Sequence, residues 1–177
     1  YDMLLKRWAA NPQITARELA TVITEEYTKS YSGGENGRSE VTFSAYDMSK
    51  LSALNTALLD FGGNLQRLSA EQKKAVFTAA TSTMYFNYDD YGDLGDFVTR
   101  VEAAKIGIMD AHVLANLKLA LNDFAFFVRN TEQYGNAHGV SIWLPKNTGT
   151  LSAYLSKYQS LSFDHDTRWS EALRNFL

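Results

Sequence analysis

Cysteine is absent from all 177 residues. Disulfides, thiolate metal sites and a cysteine nucleophile are therefore excluded from this chain itself. Charge of one sign is also missing: 17 Lys and Arg stand against 20 Asp and Glu, a net charge of −3 with no basic block. That balance argues against nucleic acid as a partner. No apolar run approaches the ~18 residues that a membrane span requires. An initiator Met is lacking too, since the chain opens on Tyr1 with no signal-like segment behind it; the expectation is that something upstream has been removed.

What is present suits one globular domain. Hydrophobic residues make up 45%, well above the disordered range, and a chain of this length buries roughly 70% of its unfolded surface. Apolar residues at Leu4, Leu5 and Trp8 predict a helix that stops at Asn11–Pro12. A second helix starts from Thr15, with Glu18 three residues on as a capping box, and carries a stripe of Leu19, Val22, Ile23 and Tyr27. The segment SGGENGRSE, residues 32–40, reads as an exposed loop open to proteolysis.

Residues 41–46 alternate as a strand, with Val41, Phe43 and Ala45 on one side and Thr42, Ser44 and Tyr46 on the other. Neither set suits bulk water, which predicts cover on both faces. Asp47 or Ser49 then caps a helix built on Leu51, Leu54, Leu58, Phe61 and Leu65. Ser69 with Gln72 opens another, carrying Val76, Phe77 and Ala80. NYDDYGDLGDF reads as an acidic turn region, with a short helix starting at Asp93 or Asp96. After Asp110 a long helix is expected through Val113, Leu114, Leu117, Leu121, Phe124 and Val128. A second strand at residues 139–144 ends at Pro145, and a last helix carries Trp169, Leu173 and Phe176. Two strands are too few for so many amphipathic helices, and their open edges invite further pairing. Either strands within the chain escape this reading or the rest of the sheet lies outside it; the second is the favoured expectation.

No catalytic constellation stands out. His112, His138 and His165 have no serine in an activating context such as G-x-S-x-G, so surface or capping roles are expected of them. Asp89, Asp90, Asp93 and Asp96 are oxygen donors of the kind calcium takes. Their spacing departs from the D-x-D-x-D-G loop, and capping accounts for Asp93 and Asp96. Tyr46 and Asp47, at the carboxyl end of the first strand, occupy the kind of position where open α/β sheets bind ligands; the simpler reading of Asp47 is a helix cap.

Five segments together resemble the C-terminal half of a clostripain-like cysteine peptidase, in order and in register. They are YDMLLKRWAANPQITARELATVITEEY, VTFSAYDMSKLSAL, DLGDFVTRV, HGVSIWLP and YLSKYQSLSFDHDTRWSEALRNFL. The resemblance implies an α/β, caspase-like sheet covered by helices and a largely helical C-terminal region. Residues 1–177 would form the C-terminal part of that incomplete domain. It implies an endopeptidase that cuts after Arg or Lys, with its His/Cys dyad upstream of Tyr1 and this chain inactive alone, and a bacterial enzyme, secreted or in the cell envelope. Catalytic and metal-binding residues are then expected to be none here. Tyr46 and Asp47 would stand on the wall of the substrate cleft, and the partner would be the N-terminal half of the same peptidase. No cofactor is implied, although some members use calcium. The rival reading is a non-catalytic interaction module, or a degenerate peptidase-like domain, that binds a partner through a sheet edge.

Overall fold

A computed structural model of the protein describes residues 2–107 and 110–177; Tyr1, on which the chain opens, lies outside them. The helices are α1 (Asp2–Ala10), α2 (Ala16–Tyr31), α3 (Leu51–Leu65), α4 (Ala70–Ser82), α5 (Leu94–Ala103), α6 (Ala111–Phe124), α7 (Thr148–Gln159), α8 (Ser162–Thr167) and α9 (Trp169–Phe176). The strands are β1 (Ser32–Gly34), β2 (Gly37–Arg38), β3 (Thr42–Ala45), β4 (Tyr91–Asp93), β5 (Phe127–Asn130) and β6 (Ser141–Trp143). They form three separate antiparallel pairs, β1 with β2, β3 with β5 and β4 with β6. The fold is mixed α/β.

Local chemistry explains several boundaries. Thr15 and Ser69 cap α2 and α4 as reciprocal capping boxes with Glu18 and Gln72, satisfying N–H groups that a helix start leaves unpaired. Asp93 caps α5 by accepting from the Asp96 N–H at 2.8 Å. Asp47 caps a short 3-10 turn, Met48–Lys50, that runs straight into α3.

Four expectations need correction. The long helix does not reach Val128: α6 ends at Phe124, whose carbonyl accepts the Asp47 N–H at 2.8 Å. Phe127–Asn130, rich in residues that favour strands, then leaves the helix to pair with β3. The acidic turn region contains β4, which pairs with β6. Residues 32–38 of the expected loop form a hairpin, while all of 32–40 is exposed as expected. The expected double cover on β3 is partial, because Thr42, Phe43 and Ser44 are half-buried and only Ala45 is fully buried. Helices α7 and α8 were not anticipated from periodicity at all. The two anticipated strands thus find partners inside the chain, in pairs that remain two-stranded.

The core is built mainly by helices. Phe61 of α3, Phe97 of α5 and Trp169 of α9 meet in an aromatic cluster, with Phe97 edge-on to both Phe61 and Trp169. All three are fully buried. The Trp169 indole N–H donates to the Trp143 carbonyl at 2.7 Å, joining the helical core to β6 and satisfying the one polar atom of a buried ring. Helix α1 is different: it has no buried residue, and Leu5 and Trp8 are 59% and 53% exposed. Its apolar spacing makes a helix without making core.

This asymmetry is measurable. Trp169→Ala should destabilise the protein by about 3–5 kcal/mol, the usual cost of emptying a large aromatic site. Trp8→Ala should change stability by no more than about 0.5 kcal/mol. Denaturant melts of the two variants check both values.

Candidate functional site

The four residues of β3 pair with β5 in the register Thr42↔Asn130, Phe43↔Arg129, Ser44↔Val128 and Ala45↔Phe127. The Thr131 N–H donates to the Val41 carbonyl at 2.9 Å, which sets the phase of the ladder. In an antiparallel pair, bonded residues alternate with unbonded ones. Phe43 and Ala45 therefore direct their N–H and C=O groups toward β5, while Thr42 and Ser44 direct theirs to the opposite edge. Among the described residues no strand pairs with that edge. A cleft of about 590 Å³ opens beside it, walled by Ser44, Tyr46, Phe86, Tyr88, Tyr91 and Gly139.

Tyr46 is held firmly in this wall. Its ring stacks on Phe124 with centroids 4.8 Å apart and planes 13° apart, and its hydroxyl donates to the Gly139 carbonyl. Burial pushes the phenol above its ordinary range, and the nearby Asp93 charge adds to the effect. The side chain is nonetheless 44% exposed, so one surface of an anchored aromatic faces outward. Asp47 has a different setting. Its carboxylate accepts from the Ser49 hydroxyl at 2.6 Å and the Ser49 N–H at 3.1 Å, and lies 3.7 Å from Arg17. The Ser49 hydroxyl bond, then the Ser49 N–H, lower its pKa. Asp47 acts as a cap at the end of β3, next to Tyr46 but outside the residues that wall the cleft.

The turn that receives Tyr46 is itself pinned by one carboxylate. Asp93 is completely buried and accepts from the N–H groups of His138 at 2.9 Å and Gly139 at 3.2 Å through Oδ2. Its Oδ1 accepts from the Asp96 N–H and lies 3.1 Å from His138 Nδ1. A carboxylate acceptor requires that this nitrogen carry the proton. Two glycines make room for the arrangement. The His138 ring sits directly on Gly95, where any Cβ would collide with it. Gly139, at φ +91°, crosses so close to β3 and β5 that a Cβ would lie 2.6 Å from Ser44 Oγ and from Val128 Cγ2; a positive φ and this contact both call for glycine.

His138 is thus more than a surface residue; the sequence marked its turn but not its pairing with a carboxylate 45 positions away. His112 and His165 lie exposed on α6 and α8. The four aspartates once grouped by sequence separate in space: Asp93 is saturated by protein donors, and Asp96 accepts from the Met84 N–H and Arg100 Nε. Asp89 meets Lys146 at 3.5 Å. Among the described residues they do not converge on one point.

The Asp93 hydrogen bond raises the His138 pKa above its ordinary value, against an opposing effect of burial. The proton stabilises the folded state fully below the unfolded value of about 6.5 and loses that effect as pH rises through the higher folded value. The thermal midpoint should therefore fall across this window in the wild type, and the fall should be smaller in His138→Gln. Asp93→Asn should cost about 2–3 kcal/mol, because the amide puts a donor nitrogen in place of one of two oxygens that both accept from N–H groups. Melts at several pH values check both outcomes.

Comparison with known proteins follows the same lines. No curated protein matches the sequence. Among solved structures, the chain is similar to an inactive zymogen of a C11 protease from Parabacteroides distasonis, at 15% identity and a TM-score of 0.56. The match covers 85% of this chain and 43% of that one, so the chain spans less than half the length of the solved protease. At that identity the likeness is one of fold. The sequence model of the clostripain family, however, matches residues 1–176, nearly the whole chain, and the protein belongs to the clostripain family of peptidases.

Proposed function

We propose that these residues supply the C-terminal half of a clostripain-like cysteine endopeptidase that cuts after Arg or Lys. The observation that carries the reading is the edge of β3 that no strand among the described residues pairs, beside an aromatic-walled cleft, in a chain of this family. An edge with free N–H and C=O groups at Thr42 and Ser44 suits another strand, and the reading assigns it a strand from the N-terminal half, within a caspase-like sheet. The Cys and His belong to that half. The thiolate attacks the scissile carbonyl, the imidazolium protonates the departing amine, and backbone N–H groups near the nucleophile stabilise the oxyanion.

The role of the present residues is positional. Tyr46 stands where β3 ends, its ring fixed by Phe124 and its hydroxyl by Gly139. Its outward surface forms part of the wall against which the substrate peptide lies. Asp47 sets the exit of the chain from β3 into α3 and keeps Tyr46 in register. The reading assigns no metal or cofactor to these residues, and it extends to a bacterial enzyme that is secreted or held in the cell envelope.

The decisive experiment pairs two samples. The complete polypeptide should cleave Arg and Lys peptides and lose that activity when its upstream Cys is replaced by Ala. Residues 1–177 alone should cleave neither. Cleavage by the isolated chain, or full activity after loss of the upstream Cys, would refute the assignment and leave a binding module as the better reading. Within the active enzyme, Tyr46→Ala should lower kcat/KM by about tenfold, about 1.4 kcal/mol of transition-state stabilisation. Tyr46→Phe, which keeps the stacked ring, should lose less.

A further inference from the structure

An asparagine amide can be attacked by the backbone nitrogen of the next residue, provided nothing keeps the two apart. Only Asn36 in this sequence precedes a glycine. Asn11 precedes Pro12, which has no N–H to give up. Of the other exposed asparagines, Asn87 precedes Tyr88, Asn136 precedes the buried Ala137, and Asn122 sits inside α6 before Asp123. Asn147 is engaged as the cap of α7. In each of these a following side chain, a helical backbone or a cap bond stands in the way.

Asn36 and Gly37 lie at the tip of the β1–β2 hairpin, and both are exposed. Gly37 is at φ +75°, and a Cβ added there would meet nothing within 4 Å, so the space beside its nitrogen is open. The hairpin has strands of three and two residues with an irregular register. So short a ladder with no buried side chain opens locally at little cost, which lets the Asn36 side chain swing toward Gly37.

Two bonds to Ser30 oppose that swing in the closed hairpin. The Asn36 N–H donates to the Ser30 carbonyl at 3.0 Å, and the Asn36 side-chain Nδ2 donates to the Ser30 hydroxyl at 3.1 Å. That hydroxyl in turn donates to the Tyr27 carbonyl at 2.7 Å, which fixes it on α2 as an acceptor. The amide that must leave is therefore tethered by one side-chain bond.

We propose that Asn36 is a site of spontaneous, one-way modification, converted to aspartate and isoaspartate through a cyclic imide with Gly37, and that the tether to Ser30 slows it. The Gly37 nitrogen bonds to the Asn36 side-chain carbon and gives up its proton. The Cγ–Nδ2 bond breaks, and ammonia leaves with that proton. Water then opens the imide. Addition at the side-chain carbonyl restores an ordinary Asp–Gly link, and addition at the main-chain carbonyl leaves the backbone running through the side chain, one methylene longer. One water is consumed and one ammonia released, with no oxidation or reduction. Either product adds a carboxylate beside Glu35 and removes the donor that Ser30 accepts. The inference is independent of the catalytic reading above, since it uses only the atoms of the hairpin and water.

The test holds the complete polypeptide at mildly alkaline pH and follows it by peptide mass spectrometry and isoaspartyl-methyltransferase labelling, with the denatured protein as reference. Within residues 1–177, aspartate and isoaspartate should appear first at position 36. Asn36→Gln, whose longer side chain closes the ring poorly, should lose that first product. Ser30→Ala should speed its formation in the native protein by about fivefold, the worth of one net hydrogen bond, and leave the rate in denaturant unchanged. A first product at Asn87, Asn122, Asn136 or Asn147 would overturn the proposal. So would no conversion of native Asn36 over the time that converts it in denaturant, or an unchanged native rate in Ser30→Ala.

Discussion

A buried carboxylate governs the geometry of the candidate site. Asp93 begins as an ordinary helix cap, using one oxygen to satisfy the start of α5. Its remaining capacity holds the backbone of His138 and Gly139. An ionised group at this depth is tolerated because several N–H donors surround it. Through Gly139 the constraint passes to Tyr46 and so to the end of β3. The aromatic wall of the cleft is therefore held from the far side of the turn, by an aspartate that does not itself line the cleft.

The rest of the fold sets this device between two unequal parts. On one side is a helical core locked by Phe61, Phe97 and Trp169. On the other are strand pairs too small to close a sheet, and among the described residues no strand pairs with one edge of β3. A two-stranded ladder is marginal by itself, and here α2 on one face and the 137–139 turn on the other supply its support. The open edge and the exposed apolar residues of α1 are the features that a self-contained domain would be expected to blunt or bury.

Much of this was legible because it is local. The caps at Thr15, Ser69 and Asp93 need only residues three positions away, and the helices they start are where the pattern placed them. β3 and β6 were legible from alternation and from Pro145. β5 was hidden because Phe124, Phe127 and Val128 continue the helical spacing of Leu117 and Leu121; only pairing with Thr42–Ala45 makes that stretch a strand. β4 was hidden because Tyr91-Gly92-Asp93 has turn chemistry and is three residues long. The link from Asp93 to His138 spans 45 positions, which no local pattern reports. Tyr46 was marked by its place at a strand end, but its partners Phe124 and Gly139 emerge only in three dimensions, and Asp47 proved to be the cap that its simpler reading described.

The central claim is that the outer edge of β3 is a seam to further β-structure in the complete polypeptide. Amide hydrogen exchange on that polypeptide tests it residue by residue. The Thr42 and Ser44 amides should exchange as slowly as those of Phe43 and Ala45, because both edges of the strand are bonded. Exchange at Thr42 and Ser44 as fast as in the exposed hairpin at residues 33–38 would contradict the account.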